Sequence, residues 1–263
     1  MDGKAWSAIS LALIAALTLA SSGGRAAGKN RDALWKIVHD KCVPDQETNR
    51  DPSPCAYVDL AKGPDRGYAV LKDLVGATQF LLIPTRQISG IESPALLEPD
   101  APNYWGAAWD ARSYVLERAR KPLPRDAISL AINSSVDRSQ DQLHIHIDCV
   151  RADVRTLLAE HAAEIGDTWA ELGFDLAGRR YRAMRIGKPD LGDSNPFSLL
   201  ASDLAASGRD MAGATLVVVG ASLGEGKDGF VLLEHRANPA TGDSAHGEDL
   251  QDHGCTMATS LNP

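Results

Sequence analysis

The chain has no excess of positive charge: 27 lysines and arginines stand against 35 aspartates and glutamates, for a formal net charge of −8. Without a global positive field to hold a phosphate backbone, no nucleic-acid partner is expected. A C-x-x-C pair is also missing, because Cys42, Cys55, Cys149 and Cys255 lie far apart. That sets aside zinc ribbons and thioredoxin-type redox sites. Nothing in the composition points to disorder or a fibrous repeat. The 263 residues, 44% apolar and 24% charged, suffice for one large domain or two small ones.

An uncharged stretch lies between Lys4 and Arg25, with its apolar heart at Ala8–Ala20. The cationic start, short apolar run and small residues fit a secretory signal peptide with Ala20 or Ala26 as cleavage points. They also fit an uncleaved single span, which needs about 20 mostly apolar residues. On either reading the remainder is translocated, which divides the chain into an anchor or signal segment, residues 1–27, and one domain, residues 28–263. An oxidising compartment lets cysteines pair. Of the three pairings, Cys42 with Cys55 and Cys149 with Cys255 is expected. The first closes a polar loop, VPDQETNRDPSP, and such a closure is worth about 3 kcal/mol; the second pins the C-terminal tail to the middle of the chain.

Along the domain, Arg31–Lys41 reads as a short amphipathic helix, and GYAVLK and QFLLI as a strand pair folded about Gly76. Asn103–Arg120 has helical spacing, with Asn103 as its cap. AISLAI and LHIHIDCV read as strands. Asp153–Leu172 is expected to be one long helix, with another near Phe197–Ala206 and two strands, ATLVVVGA and GFVLLEHR, around LGEGKD. This last pair repeats the layout near Gly67–Ile83. The echo fits either an internal pseudo-duplication or two unrelated hairpins.

Strand alternation in LHIHIDCV puts Leu143, Ile145 and Ile147 on one face and His144, His146 and Asp148 on the other, with the imidazoles about 7 Å apart. Paired imidazoles suit a phosphate: one attacks phosphorus while the other steadies the oxygens. Zinc is the functional alternative, with His235, His246, His253 or Asp148 as further ligands. Two ordinary strand histidines are the plain reading.

The run NSSVDRSQDQLHIHI resembles the active-site segment of the histidine-triad (HIT) nucleotide hydrolases and transferases, with Gln142-Leu143-His144-Ile145-His146-Ile147 in the frame of the triad. The pieces SPCA, GYAVLKDL, QFLLIPT, ISGIESPALL, ISLAINS, HIHIDCVR and QDHGC are similar to one branch, the bacterial CDP-diacylglycerol pyrophosphatases. The resemblance implies an α+β fold, a HIT-like antiparallel sheet with helices packed on one face, and hydrolysis of CDP-diacylglycerol to CMP and phosphatidate without a cofactor or metal. It implies His144 as nucleophile, His146 as a ligand of the phosphate oxygens, and Asn133, Ser139, Gln140 and Gln142 as binding residues. Gln142 replaces the first triad histidine, so a proton-shuttling role there is lost. A lipid substrate favours the anchor: a single-pass protein of the bacterial inner membrane with its domain on the periplasmic side, monomeric or homodimeric. The alternatives are an exported HIT-like nucleotidyl transferase or nucleotide-binding protein, and a non-catalytic, disulfide-stabilised periplasmic binding protein.

Overall fold

The computed structural model describes residues 30–224 and 226–260. Its strands are β1 (Tyr57–Asp59), β2 (Tyr68–Lys72), β3 (Phe80–Pro84), β4 (Ile128–Ile132), β5 (Ile145–Val150), β6 (Ala170–Leu176), β7 (Arg179–Ile186), β8 (Ala214–Ser222), β9 (Asp228–Arg236) and β10 (Gln251–Asp252). All pair antiparallel in one sheet of order β1-β2-β3-β5-β4-β8-β9-β7-β6, with β10 added to the free stretch of β5 beyond β3. The helices are α1 (Ala33–Ile37), continued through a π turn into α2 (Val43–Asn49), then α3 (Tyr104–Ala119), α4 (Ala152–Glu160), α5 (Pro196–Ala206) and α6 (Thr256–Ser260). The fold is thus α+β, built on a large antiparallel sheet.

Central strands such as β4, β5 and β8 are buried over nearly their whole length, as expected where both faces of a sheet are covered. On one face α3 and α5 bury Trp105, Trp109, Phe197 and Leu200 against Leu130, Ile147, Val218 and Phe230. Each such large side chain contributes about 1.5–3 kcal/mol when taken from water. Asn103 caps α3, accepting the Gly106 amide at 3.3 Å. The other face is covered too, correcting the expected one-sided layer. The α1–α2 hinge packs Val38 and Cys42 on Ala69, Leu81 and Ile83 at one end, and α4 packs Val154 and Leu158 on Val217 and Val219 nearer the other. The alternation of each strand gives both faces apolar residues, so both need a cover.

Two stretches differ from the sequence reading. The long helix expected over Asp153–Leu172 ends at Glu160, and Ala170–Leu176 becomes β6. Pairing with β7 through a turn at Ala177 and Gly178, both at positive φ, overrides the helical spacing. The hairpin echo is also displaced. The order hairpin, helix, hairpin occurs twice, as β2–β3, α3, β4–β5 and then β6–β7, α5, β8–β9, joined by β4 against β8. The counterpart of β2–β3 in the sheet is therefore β6–β7, whereas β8–β9 takes the place of β4–β5.

Among the described residues no helix is long and apolar enough to cross a membrane. The longest, α3, has 16 residues and carries charges; at 1.5 Å per residue it falls short of a hydrocarbon core of about 30 Å. The expected single-pass inner-membrane placement with a periplasmic domain is corrected accordingly. The Ala5–Gly24 run on which it rested, with the choice between signal and anchor, lies outside the described residues.

Candidate active site

The two histidines sit at the start of β5 on the face between α1 and α4. Strand alternation sends Ile145, Ile147 and Cys149 toward α3 and leaves His146 and Asp148 on the opposite face, where His146 is flanked by Leu81 of β3 and Ala131 of β4. His144 lies just before the strand. Without strand pleating to hold them apart, the rings approach edge to face with centroids 4.7 Å apart, closer than an ideal strand would place them.

The first residue of the triad frame works through its backbone. The Gln142 carbonyl lies 2.7 Å from His144 Nδ1, and since a carbonyl oxygen can only accept, Nδ1 carries a proton. Burial, opposed by that hydrogen bond and by the fields of Glu248 and Asp73, holds the His144 pKa below its ordinary 6.5. The ring is therefore neutral near pH 7, with its lone pair on Nε2, which makes no hydrogen bond among the described residues. The Gln142 side chain is committed elsewhere, accepting the Ile88 amide at 3.2 Å and donating to the Pro84 and Arg86 carbonyls at 2.9 and 3.0 Å.

His146 is set by two residues that its own segment gives no hint of. Gln79 Nε2 lies 2.7 Å from His146 Nδ1 and 2.9 Å from Glu248 Oε2. The carboxylate accepts only, so this Gln79 atom is the amide nitrogen, and its N–H groups leave Nδ1 of a neutral His146 as acceptor. The ring proton then sits on Nε2, a buried atom without a partner among the described residues. Burial lowers the His146 pKa, against the pull of Glu248. Burial also pushes Glu248 up, but the attraction of a protonated His146 at 3.1 Å and the amide donors of Gln79 and Asn133 more than offset it, so the carboxylate stays below its usual range. A proton arriving on Nδ1 of His146 would thus find a counter-ion in place.

Asn133 is taken up by this carboxylate: its Nδ2 donates to Glu248 Oε1 at 2.8 Å and its Oδ1 accepts the Gly247 amide at 2.8 Å. Gly247 lies so close to β8 that a side chain there would collide with Thr215 Oγ1. Gln140 fastens α1, accepting the Leu34 amide at 3.1 Å and donating to the Asn30 carbonyl at 3.1 Å, while exposed Ser139 lines the cleft beside it. Arg138 is mostly buried and paired with Glu92 and Asp141; Arg151 is half-exposed and paired with Asp153.

The C-terminal segment completes the site. The bridges Cys42–Cys55 and Cys149–Cys255 are both formed, as expected, and among the described residues no cysteine is free. The second holds β10 along β5, which puts His253 Nδ1 3.1 Å from buried Asp148 and Nε2 3.6 Å from Glu248. The hydrogen bond to Asp148 outweighs burial and raises the His253 pKa, so this ring takes up a proton more readily than the His144–His146 pair beside it. His246, hydrogen-bonded to Asp137, and Lys72 line the same cleft of about 650 Å³, within the range of small-molecule sites. Another cleft of about 380 Å³, beside Tyr68, Trp109 and Asp190, contains no histidine. Of the proposed zinc ligands, His235 lies elsewhere, bonded to Asp243 and the Arg180 carbonyl. Among the described residues no three His, Cys, Asp or Glu side chains are arranged as ligands of one metal ion.

Residues 29–259 match the family of CDP-diacylglycerol pyrophosphatases. The chain is also 43% identical over 232 residues to a protein of Yersinia pestis named CDP-diacylglycerol pyrophosphatase, a match covering 88% of this chain and 87% of that one.

Proposed function

Because the chain belongs to the CDP-diacylglycerol pyrophosphatase family, we propose that it hydrolyses CDP-diacylglycerol to CMP and phosphatidate through a cytidylyl-histidine intermediate at a HIT-type site. The observation that carries this reading is the His144 ring, neutral by burial and fixed by the Gln142 carbonyl with its lone pair on Nε2. Nε2 attacks the cytidylyl phosphorus as the bond to the phosphatidate oxygen breaks. Phosphatidate departs as a phosphate anion needing little protonation, so positioning and charge stabilisation supply most of the rate. The ring, now cationic, keeps its Nδ1–H on the carbonyl. Water then attacks the phosphorus, releases CMP and returns the lone pair to Nε2, its proton passing to solvent. His146 offers Nε2–H to the phosphate oxygens, with Glu248 behind it. His253 and Lys72 supply positive charge that the chain as a whole lacks.

The repeated hairpin, helix, hairpin order supports reading the domain as a degenerate internal duplication. Only the first copy carries the paired histidines.

The direct test incubates the protein with CDP-diacylglycerol in detergent plus chelator and follows CMP. CMP is expected; its absence would overturn the proposal, and its appearance only after metal is restored would replace it with a metal mechanism. The same assay checks a pH prediction. Because burial holds His144 below 6.5, the acid limb of kcat/KM should fall below that value. Stability follows the same sign. Between the lowered pKa values of His144 and His146 and 6.5 the unfolded chain binds more protons, so their contribution is lost as pH falls through that window. His253, raised, runs oppositely: its contribution is present below 6.5 and lost as pH rises through its folded value.

A further inference from the structure

The histidine cleft is polar at its floor and apolar along one wall. Leu34 and Ile37 of α1, Pro54, and Leu71 and Leu81 of β2 and β3 form that wall. It begins at the reactive centre, since Leu81 is the β3 partner of His146 and neighbouring strands lie about 4.8 Å apart. It ends at the β2–β3 hairpin tip, where Leu74 is 101% exposed and Val75 60% exposed. Both belong to the lining of the same cleft.

This tip is held in place. Asp73 Oδ1 accepts the Val75 amide at 3.0 Å, and Lys72 Nζ donates to the carbonyls of Asp73 and Gly76 at 2.6 and 2.9 Å. Gly76 takes the positive φ the turn requires, and the Ala77 amide donates to the His253 carbonyl at 2.8 Å. Two adjacent apolar side chains are thus fixed in water by a braced loop at the mouth of the cleft. Isolated exposed apolar residues are ordinary, but an apolar surface continuous with a reactive site marks a ligand contact.

We propose that this wall is the acyl-chain site of the enzyme, and that Leu74 and Val75 contact the lipid aggregate from which the substrate is drawn. The inference rests on the proposed function. A pyrophosphate presented to His144 has its nucleotide on one side and its diacylglycerol on the other. The wall from Leu81 to Leu74 supplies an apolar path for the latter, so the chains need not cross water to reach the phosphorus.

The full chain with L74D or V75D should show a kcat/KM ratio, long-chain CDP-diacylglycerol in mixed micelles over water-soluble CDP-glycerol, reduced about tenfold or more. Leu97→Asp, an exposed apolar site away from the cleft, should leave that ratio within about twofold. An unchanged ratio in L74D and V75D, or an equal loss on both substrates, would overturn the proposal. A second measurement is independent of turnover. The native cysteines are all bridged among the described residues, so L74C adds a single reactive thiol for an environment-sensitive fluorophore. Its emission should shift to shorter wavelength on mixing with CDP-diacylglycerol micelles, while the label on L97C should not respond. No shift at position 74, or equal shifts at both positions, overturns the acyl site. A shift at position 74 in a protein that hydrolyses neither substrate would instead leave the lipid site standing and defeat the hydrolase reading.

Discussion

Alanine in place of His144 is expected to lower CMP release by at least about a thousandfold, because removing a nucleophile removes the covalent route rather than weakening it. The fold should survive. The ring lies at the edge of the core, facing the cleft, and its one described hydrogen bond is to the Gln142 carbonyl. Losing that bond costs about 1–3 kcal/mol if the carbonyl stays dry, and less once water reaches it. Circular dichroism and urea denaturation would confirm a folded variant. Radiolabel in the cytidylyl group gives a second readout: alkaline quenching of the wild-type reaction should leave label on the protein, and His144→Ala should leave none. His146→Ala separates the two roles. It should slow turnover by about 10²–10⁴-fold, as loss of a proton or hydrogen-bond donor does, while the adduct still forms. Substantial hydrolysis by a folded His144→Ala protein would move the nucleophile elsewhere, and an adduct surviving in that variant would do the same.

Removing the Cys149–Cys255 bridge with paired serines should be the most damaging structural change, for reasons of both chain entropy and the site. Its cysteines are 106 residues apart, against 13 for Cys42–Cys55. Loop-closure entropy makes the longer bridge worth up to about 5 kcal/mol and the shorter about 3 kcal/mol. The longer bridge also fastens the segment that carries Glu248 and His253, so its loss should reduce kcat even under conditions where the protein remains folded. The C42S/C55S variant should lose stability and raise KM for the lipid substrate more than it lowers kcat, because that bridge ties α1–α2 to the loop before β1, which together supply part of the apolar wall of the cleft, rather than to the histidines. Urea midpoints and CMP release on both double variants test this. A more destabilised C42S/C55S protein, or full kcat without the longer bridge, would contradict the argument.

Much of this domain was legible locally. The alternation of LHIHIDCV placed His146 and Asp148 on one face because side-chain direction in a strand depends only on the parity of the position, whereas His144 lies just before the strand and meets the same cleft without its pleat. The Asn103 cap and the pairing of the cysteines were readable for similar reasons, the one from a contact within a single helical turn and the other from loop length. Where competing local signals were nearly balanced, the reading failed. Val154, Leu157, Leu158, Ile165 and Trp169 have helical spacing, yet the chain leaves the helix after Glu160 because β7 offers Ala170–Leu176 a strand partner.

For the site, the sequence by itself singled out the candidate pair, His144 and His146, and, through family resemblance, the chemistry to expect of them. Only the tertiary structure decided their protonation and company. Gln142 acts through its carbonyl, while Asn133 holds a carboxylate. Glu248 meets Gln79 across 169 positions of sequence, and His253 reaches Asp148 through a bridge that spans most of the second half of the chain. No periodicity links residues so far apart. Their meeting follows from sheet order and the disulfide, and with it come the desolvation and hydrogen bonds that leave a lone pair on one histidine and, opposite, a proton on the other.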